Sequence, residues 1–114
     1  MAGDISNKNL LSFLSLMKKA GKLVSDEFGT ESAVKEGKAH IVVVPVDASD
    51  NTKKLFSDKC KFYDIPIVFF GTKEELGHAI GKGERSSLAI TDEGGAKSFH
   101  NKYINLEKIM KESD

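Results

Sequence analysis

Few residues of this chain have the type and spacing that catalysis or metal binding needs. The three histidines, His40, His78 and His100, are far apart, and none forms a metal-ligand spacing such as two histidines at positions i and i+4. The single cysteine, Cys60, lies on the apolar side of a predicted helix, where an unpaired cysteine behaves as a small hydrophobic residue. We therefore expect no catalytic residue, no metal site and no cofactor, and the protein is not expected to be an enzyme.

Two glycine-containing segments raise the question of phosphate binding by backbone N–H groups. Gly81-Lys-Gly83 lacks the glycine spacing of a P-loop or a dinucleotide-binding turn, and Gly81 is better explained as the end of a helix. Gly94-Gly95 follows a predicted strand and opens a helix, but the carboxylate of Asp92 would compete with an anion for the same N–H groups. A helix start without a ligand is therefore favoured.

Basic residues do not dominate the chain. Its 17 Lys and Arg residues balance 17 Asp and Glu residues, so the net positive charge of many nucleic-acid-binding proteins is missing. Lys18, Lys19 and Lys22 lie at the end of a predicted helix, where they could complement the helix dipole or form the edge of a phosphate-binding patch. Both interpretations stay open, and any basic surface would have to form in three dimensions.

Length and composition indicate an ordinary globular protein. The 114 residues, 39% of them hydrophobic and 30% charged, predict a single domain spanning residues 1–114. The longest apolar run, Ile65 to Phe70, is far shorter than the roughly 20 residues of a membrane span. The amino end has neither the basic nor the apolar region of a secretory signal, so we expect a cytoplasmic protein without a membrane segment, and a monomer.

Apolar periodicity predicts two helices in the first third of the chain. Helix one has apolar residues at helical spacing, namely Leu10, Leu11, Phe13, Leu14 and Met17. It is predicted to end at Gly21. Ser25 is predicted to cap helix two, with Asp26 and Glu27 in its first turn and Gly37 at its end.

Strands and helices are predicted to alternate in the rest of the chain. Runs of β-branched residues predict strands at 41–46, ended by Pro45, and at 65–70, and the helix between them is capped by Ser49. A capping box at Thr72 opens a short helix, a third strand covers 88–91, and Asp92 caps the last helix. The apolar residues of the two long helices are Leu55, Phe56, Cys60 and Phe62, and then Ala96, Phe99, Tyr103, Leu106 and Met110. This order predicts the α/β class, with a right-handed parallel crossover and a three-layer α/β/α sandwich around a central mixed sheet.

Short motifs occur in a fixed order over most of residues 8–92. They are Lys19-Ala-Gly-Lys-Leu-Val24, Gly37-Lys-Ala39, Val46-Asp-Ala-Ser-Asp-Asn-Thr52, Asp58-Lys-Cys60, Ile65-Pro66, and Thr72-Lys-Glu-Glu-Leu-Gly77 with Ala79-Ile-Gly-Lys82. The series resembles the L7Ae/L30e ribosomal-protein family of the L7Ae/L30e/S12e/Gadd45 superfamily, and segments 47–52 and 90–94 are most similar to its bacterial YlxQ-type branch. The resemblance implies an L30e-like sandwich that binds a kink-turn, a sharply bent helix–internal loop–helix RNA element, without catalysis.

The RNA-contact motif of that family opens helix two with Gly, Thr or Val, Asn, Glu, two small residues and Lys. Carried over without gaps, the motif falls on residues 26–32, and four of its positions change: Gly to Asp26, Asn to Phe28, Glu to Gly29 and Lys to Ser32. A match shifted to residues 29–35 restores three of the motif's residue types but shortens the helix by three residues, so the gapless match is preferred. Phe28 could stack on a base, although a core position is favoured.

The resemblance also implies contacts outside helix two. The complete set of expected RNA-contact residues is Lys22, Asp26, Glu27, Phe28, Gly29, Ser32, Asp47, Ser49, Lys73, Lys82 and Arg85. Most of them belong to the start of helix two and the loop 82–86, in which Glu84 and Ser86 replace more apolar residues. The expected partner is structured RNA, ribosomal or another noncoding RNA, and association with the ribosome would follow from the former. The neutral charge and altered motif leave an alternative, in which the same fold serves protein–protein contacts.

Overall fold

Four short strands form the central sheet. They are β1 (Leu23–Val24), β2 (Ile41–Val44), β3 (Ile67–Phe69) and β4 (Leu88–Ile90), in the order β1-β4-β2-β3. This computed structural model describes residues 2–112, and their side chains from residue 7 onward. Strand β2 pairs with β3 in parallel and with β4 in antiparallel orientation, and β4 is antiparallel to β1. The sheet is therefore mixed, as the sequence predicted.

Within residues 2–112, five helices cover both faces of the sheet. They are α1 (Ala2–Lys19), α2 (Glu27–Lys35), α3 (Asp50–Tyr63), α4 (Lys73–Ala79) and α5 (Glu93–Glu112). Helix α1 packs against α4 and α5 on one face, and α2 packs against α3 on the other. The predicted three-layer sandwich is confirmed. None of the helices in the described part of the chain combines the length and apolar character that a membrane crossing needs.

The burial of β2 explains why its sequence is an unbroken apolar run. Ile41 and Val43 belong to the core cluster under α1, α4 and α5, whereas Val42 and Val44 belong to the cluster under α2 and α3. Because successive side chains of a strand point to opposite faces, only a strand that is covered on both sides needs this pattern. Pro45 directly follows the last residue of β2, as predicted.

Capping interactions set most helix boundaries as predicted. The Ser49 hydroxyl accepts a hydrogen bond from the Thr52 N–H, Thr72 and Glu75 form a reciprocal capping box, and the Asp92 carboxylate accepts from the Gly95 N–H. Helices α1, α2 and α4 are each followed by a glycine with positive φ, at Gly21, Gly37 and Gly81. In all three cases the next residue donates to a carbonyl five positions back, which is the Schellman pattern.

One predicted helix cap is wrong, and two apolar helix residues are exposed. Asp26, not Ser25, caps α2, because its carboxylate accepts from the Gly29 N–H. Phe62 is 80% exposed, because it is two residues from the buried Cys60 and thus on the opposite face of α3. Met110 is 55% exposed, because it lies past Leu106, the last buried residue that the structure describes in α5. Strand β1 was not predicted, and β2 and β3 are shorter than their apolar runs.

Candidate functional site

Four connections of the chain meet at one end of the sheet. The parallel strands β2 and β3 both end there, at Val44 and Phe69. Strand β4 is antiparallel to β2, so β4 begins at this end, at Leu88. Strand β1 is antiparallel to β4, so β1 ends here, at Val24. We call this region the motif end, and it consists of residues 25–29, 45–49, 70–73 and 80–87.

The motif end contains most of the RNA-contact residues expected from the sequence. They are Asp26, Glu27, Phe28, Gly29, Asp47, Ser49, Lys73, Lys82 and Arg85. Ser32 lies one helical turn beyond Phe28 and is half-buried. Lys22 lies at the opposite end of β1, where its ammonium group is 3.7 Å from Asp92 Oδ1 and its carbonyl accepts from the Thr91 N–H. The tertiary structure therefore brings together nine of the expected residues at the motif end, with Ser32 one turn away and Lys22 at the other end of β1.

A series of hydrogen bonds fixes these connections relative to one another. Asp47 Oδ1 accepts from the backbone N–H of Lys73 at 2.8 Å, and the Lys73 carbonyl accepts from the backbone N–H of Arg85 at 3.1 Å. The guanidinium Nε of Arg85 then donates to Ser25 Oγ at 3.3 Å. The segment after β2, the start of α4, the loop before β4 and the entry to α2 thus form one connected unit.

Arg85 is the only arginine of the chain, and it is held by neutral acceptors. Besides Ser25, its Nη1 donates to the carbonyl oxygens of Gly83 and Glu84, at 3.3 and 3.0 Å. Among the side chains that the structure describes, no carboxylate forms an ion pair with Arg85, Lys73 or Lys82. The motif end therefore has three cations without an ion pair among the described side chains, but it also holds the carboxylates of Asp26, Glu27, Asp47 and Glu84 and so has no net positive charge.

Close backbone packing places the loop 80–87 against α4. A Cβ atom on Gly77 would lie 2.0 Å from the carbonyl oxygen of Gly83 and 2.6 Å from its carbon, so only glycine fits at position 77. The Lys82 N–H donates to the Gly77 carbonyl at 2.8 Å. The role of Gly77 was not predicted, although a glycine inside a helix is an indication of close approach. The role of Ser25 was not predicted either, since its partner is 60 residues away.

The start of α2 is occupied by its own capping residue. Asp26 Oδ1 accepts from the Gly29 N–H at 2.5 Å, and a Cβ on Gly29 would lie 3.0 Å from the same oxygen. The helix begins at Glu27, so its start coincides with the gapless match to the family motif. Phe28 is 81% exposed, and the expectation that it is a core residue is therefore wrong.

Elsewhere the structure offers little reactive chemistry. No group of three His, Cys, Asp or Glu side chains within the described residues could hold a metal ion. Cys60 is 1% exposed and belongs to the core cluster under α2 and α3, as predicted. Burial raises the pKa of the Cys60 thiol to about 11, so the nucleophilic thiolate is scarce at neutral pH.

We expect Cys60 to resist alkylation in the folded protein. Because its pKa rises from 9.0 to about 11, the thiolate fraction at neutral pH falls about 100-fold, and burial also blocks the reagent. The measurement is the rate of reaction with a thiol reagent at pH 7.5, with the same protein in denaturant as the control. Equal rates in the two states would contradict this burial.

Comparison with protein families finds one match that covers most of the chain. Residues 8–100 match the model of the ribosomal protein L7Ae/L30e/S12e/Gadd45 family. The RNA-binding protein YlxQ of Bacillus subtilis (strain 168) is 35% identical over 102 residues, which are 90% of this chain and 98% of that protein. The RNA-binding protein YlxQ of Enterococcus faecium is 36% identical over 92 residues, covering 81% of this chain and 88% of that protein.

Solved structures show the same architecture. A protein of unknown function from Bacillus halodurans C superposes with a TM-score of 0.79 at 35% identity, over 82% of this chain and 94% of that chain. The Giardia lamblia 15.5kD RNA binding protein superposes with a TM-score of 0.73, over 93% of this chain and 91% of that chain. Its identity is only 19%, so this second likeness concerns the fold alone. The L30e-like architecture expected from the sequence is confirmed.

Proposed function

Because the chain belongs to the ribosomal protein L7Ae/L30e/S12e/Gadd45 family, as its motifs indicated, we propose that it is a non-catalytic protein that binds structured RNA through the motif end. Both YlxQ relatives are named RNA-binding proteins, which supports RNA as the partner. We extend the proposal to kink-turn-like elements of ribosomal or other noncoding RNA, bound by a cytoplasmic monomer.

The observation that carries this proposal is a set of three cations at one end of the sheet, none of which forms an ion pair with a described carboxylate. Lys73, Lys82 and Arg85 come from two segments that hydrogen bonds and close packing tie to the entry of α2. Phosphate contacts supply most of the affinity of nucleic-acid complexes and position the protein. Several cations at one end of the sheet favour an RNA in which phosphates lie close together, and a sharply bent RNA brings phosphates of different helical segments close together.

The first experiment is a titration of the protein with a kink-turn RNA beside an unkinked duplex of the same length. We expect tighter binding to the kinked RNA, because the fixed cations match its converging phosphates. If each of the three cations neutralises one phosphate, log K falls against log salt with a slope of about −2.7, so a fourfold rise in salt weakens binding about 40-fold.

Two other outcomes have definite meanings. Equal, salt-sensitive binding to both RNAs would contradict the kink-turn preference and leave a general RNA-binding protein. No binding to either RNA would contradict the proposed function and would favour the alternative use of this fold as a protein–protein scaffold. Capture of a protein partner that survives ribonuclease treatment would then support that alternative.

A further inference from the structure

Phe28 is a large aromatic residue in an unusual position for a folded protein. It is the second residue of α2, and 81% of its surface is exposed. Burying a phenylalanine typically stabilises a fold, but an exposed phenylalanine contributes little to stability. The exposed ring is therefore a candidate for contact with a ligand. Its neighbours Asp26 and Glu27 are exposed acids, and Ser32, one turn along the helix, is polar and half-buried. No large apolar residue follows Phe28 within one turn of α2, so along this helix the ring is bordered by polar and charged residues.

The environment of Phe28 excludes the usual way in which a helix start binds nucleic acid. Backbone N–H groups at a helix N-terminus commonly bind phosphate. Here the Asp26 carboxylate already accepts from the Gly29 N–H, and the exposed carboxylate of Glu27 adds a second negative charge. Because phosphate is repelled from this position, the start of α2 offers an RNA ligand the face of the Phe28 ring and the exposed Glu27 carboxylate, which accepts only from N–H or O–H donors.

A cation lies close enough to hold the sugar-phosphate backbone beside that ring. The Arg85 guanidinium is 3.3 Å from Ser25 Oγ, and Ser25 precedes Phe28 by three residues. Three residues span at most about 11 Å between their Cα atoms, so the backbone that carries Phe28 lies close to the residue that binds the cation. An aromatic platform next to a basic groove is the arrangement by which proteins hold unpaired nucleotides.

We propose that Phe28 is a stacking platform for one unpaired base of the bound RNA, whose phosphates lie on the Arg85 side. This inference rests on the proposed RNA-binding function. Every base has a flat face, so stacking tolerates all four bases but requires that the base has left its helix. The altered start of α2 thus selects a nucleotide that has left its helix, whichever base it carries. The amide and carboxylate of the family motif, in contrast, contact base edges.

The test compares Phe28→Ala with Phe62→Ala in binding the kink-turn RNA. Phe62 is the matched control because it is 80% exposed and lies at the C-terminal end of α3, the end opposite Ser49. Loss of one stacking contact should weaken binding by Phe28→Ala about 5- to 140-fold, while Phe62→Ala should bind like the unmodified protein. Phe28→Tyr should keep the affinity and Phe28→Leu should not, because leucine is apolar but cannot stack.

A second arm identifies the nucleotide that contacts the ring. Each unpaired base of the RNA is replaced in turn by 2-aminopurine, whose fluorescence is quenched by stacking, and by an abasic site. One position should show quenching that disappears in Phe28→Ala, and the abasic RNA at that position should bind Phe28→Ala and the unmodified protein equally. Urea denaturation of each variant verifies that the fold is intact.

The outcomes separate this inference from the proposed function. Salt-sensitive binding of the unmodified protein together with unchanged affinity of Phe28→Ala would overturn the stacking role and leave RNA binding in place. Failure of the unmodified protein to bind any of the RNAs would overturn both proposals.

Discussion

Replacing Arg85 by alanine is expected to weaken binding to the kink-turn RNA about 10- to 150-fold, the range that corresponds to loss of one hydrogen bond with a charged group. The guanidinium is the only side-chain group seen to connect the loop 80–87 with the entry to α2 within the described residues, and no carboxylate neutralises it. The slope of log K against log salt should also fall in magnitude by about 0.9, because one phosphate contact is lost. The measurement is a binding titration at several salt concentrations.

Two variants control for general effects of charge. Arg85→Lys keeps the charge but loses the planar fork, so it should retain the salt slope while losing part of the affinity. Lys61→Ala removes an exposed charge from the last turn of α3, away from the motif end, and should change neither quantity strongly. If Arg85→Ala and Lys61→Ala behave alike, the motif end is not the RNA-binding surface.

Substitution of Gly77 by alanine is expected to destabilise the fold by about 1–3 kcal/mol, the usual cost of overpacking. The added Cβ would lie 2.0 Å from the carbonyl oxygen of Gly83 and 2.6 Å from its carbonyl carbon. Both of these Gly83 atoms belong to the backbone, so they cannot rotate away as the end of a side chain could. In an open helix the same change would stabilise the protein by about 0.8–1 kcal/mol, so the sign of the effect is diagnostic. Chemical denaturation measures the free energy of unfolding.

The same variant should also lose RNA affinity while it is still folded. Relief of the clash moves the loop 80–87 away from α4, and with it Arg85, whose backbone N–H is bonded to the Lys73 carbonyl. Gly83→Ala is the matched control, since a Cβ at Gly83 meets no atom within 4 Å, and its stability should change by less than about 0.5 kcal/mol. A Gly77→Ala protein as stable as the original would show that the loop does not pack as described.

The altered motif of α2 changes how binding energy is expected to be distributed over the interface. The family motif places polar groups at the helix start, whereas Asp26 and Gly29 here bond to each other and remain engaged. The cations of the motif end lie outside α2, on α4 and in the loop before β4. We therefore expect affinity to depend more on Arg85 and Lys73 than on any polar side chain of α2.

Sequence patterns were sufficient to predict most of the helix ends and the order of every element except β1. Ser49, Thr72 and Asp92 cap their helices as predicted, because a cap is a local interaction between residues three positions apart. The four consecutive apolar residues of β2 predicted burial on both faces of the sheet. This prediction is also local, because successive side chains of any strand point to opposite faces, whichever strand it pairs with. Ordered motifs then identified the family and, through it, most of the candidate site.

Which of those residues form one surface depends on contacts between segments that are distant in the chain. The two-residue strand β1 exists because Leu23 and Val24 pair with β4, and so short a strand has no periodicity of its own. Ser25 is predicted from the sequence to cap α2, yet its hydroxyl accepts a hydrogen bond from the Arg85 guanidinium, 60 residues away. The helix is capped by Asp26 instead. Lys22 lies at the other end of β1, and the exposure of Phe28 depends on how α2 lies on the sheet. Local sequence cannot contain these outcomes, because each depends on a contact or a packing direction set by residues distant in the chain.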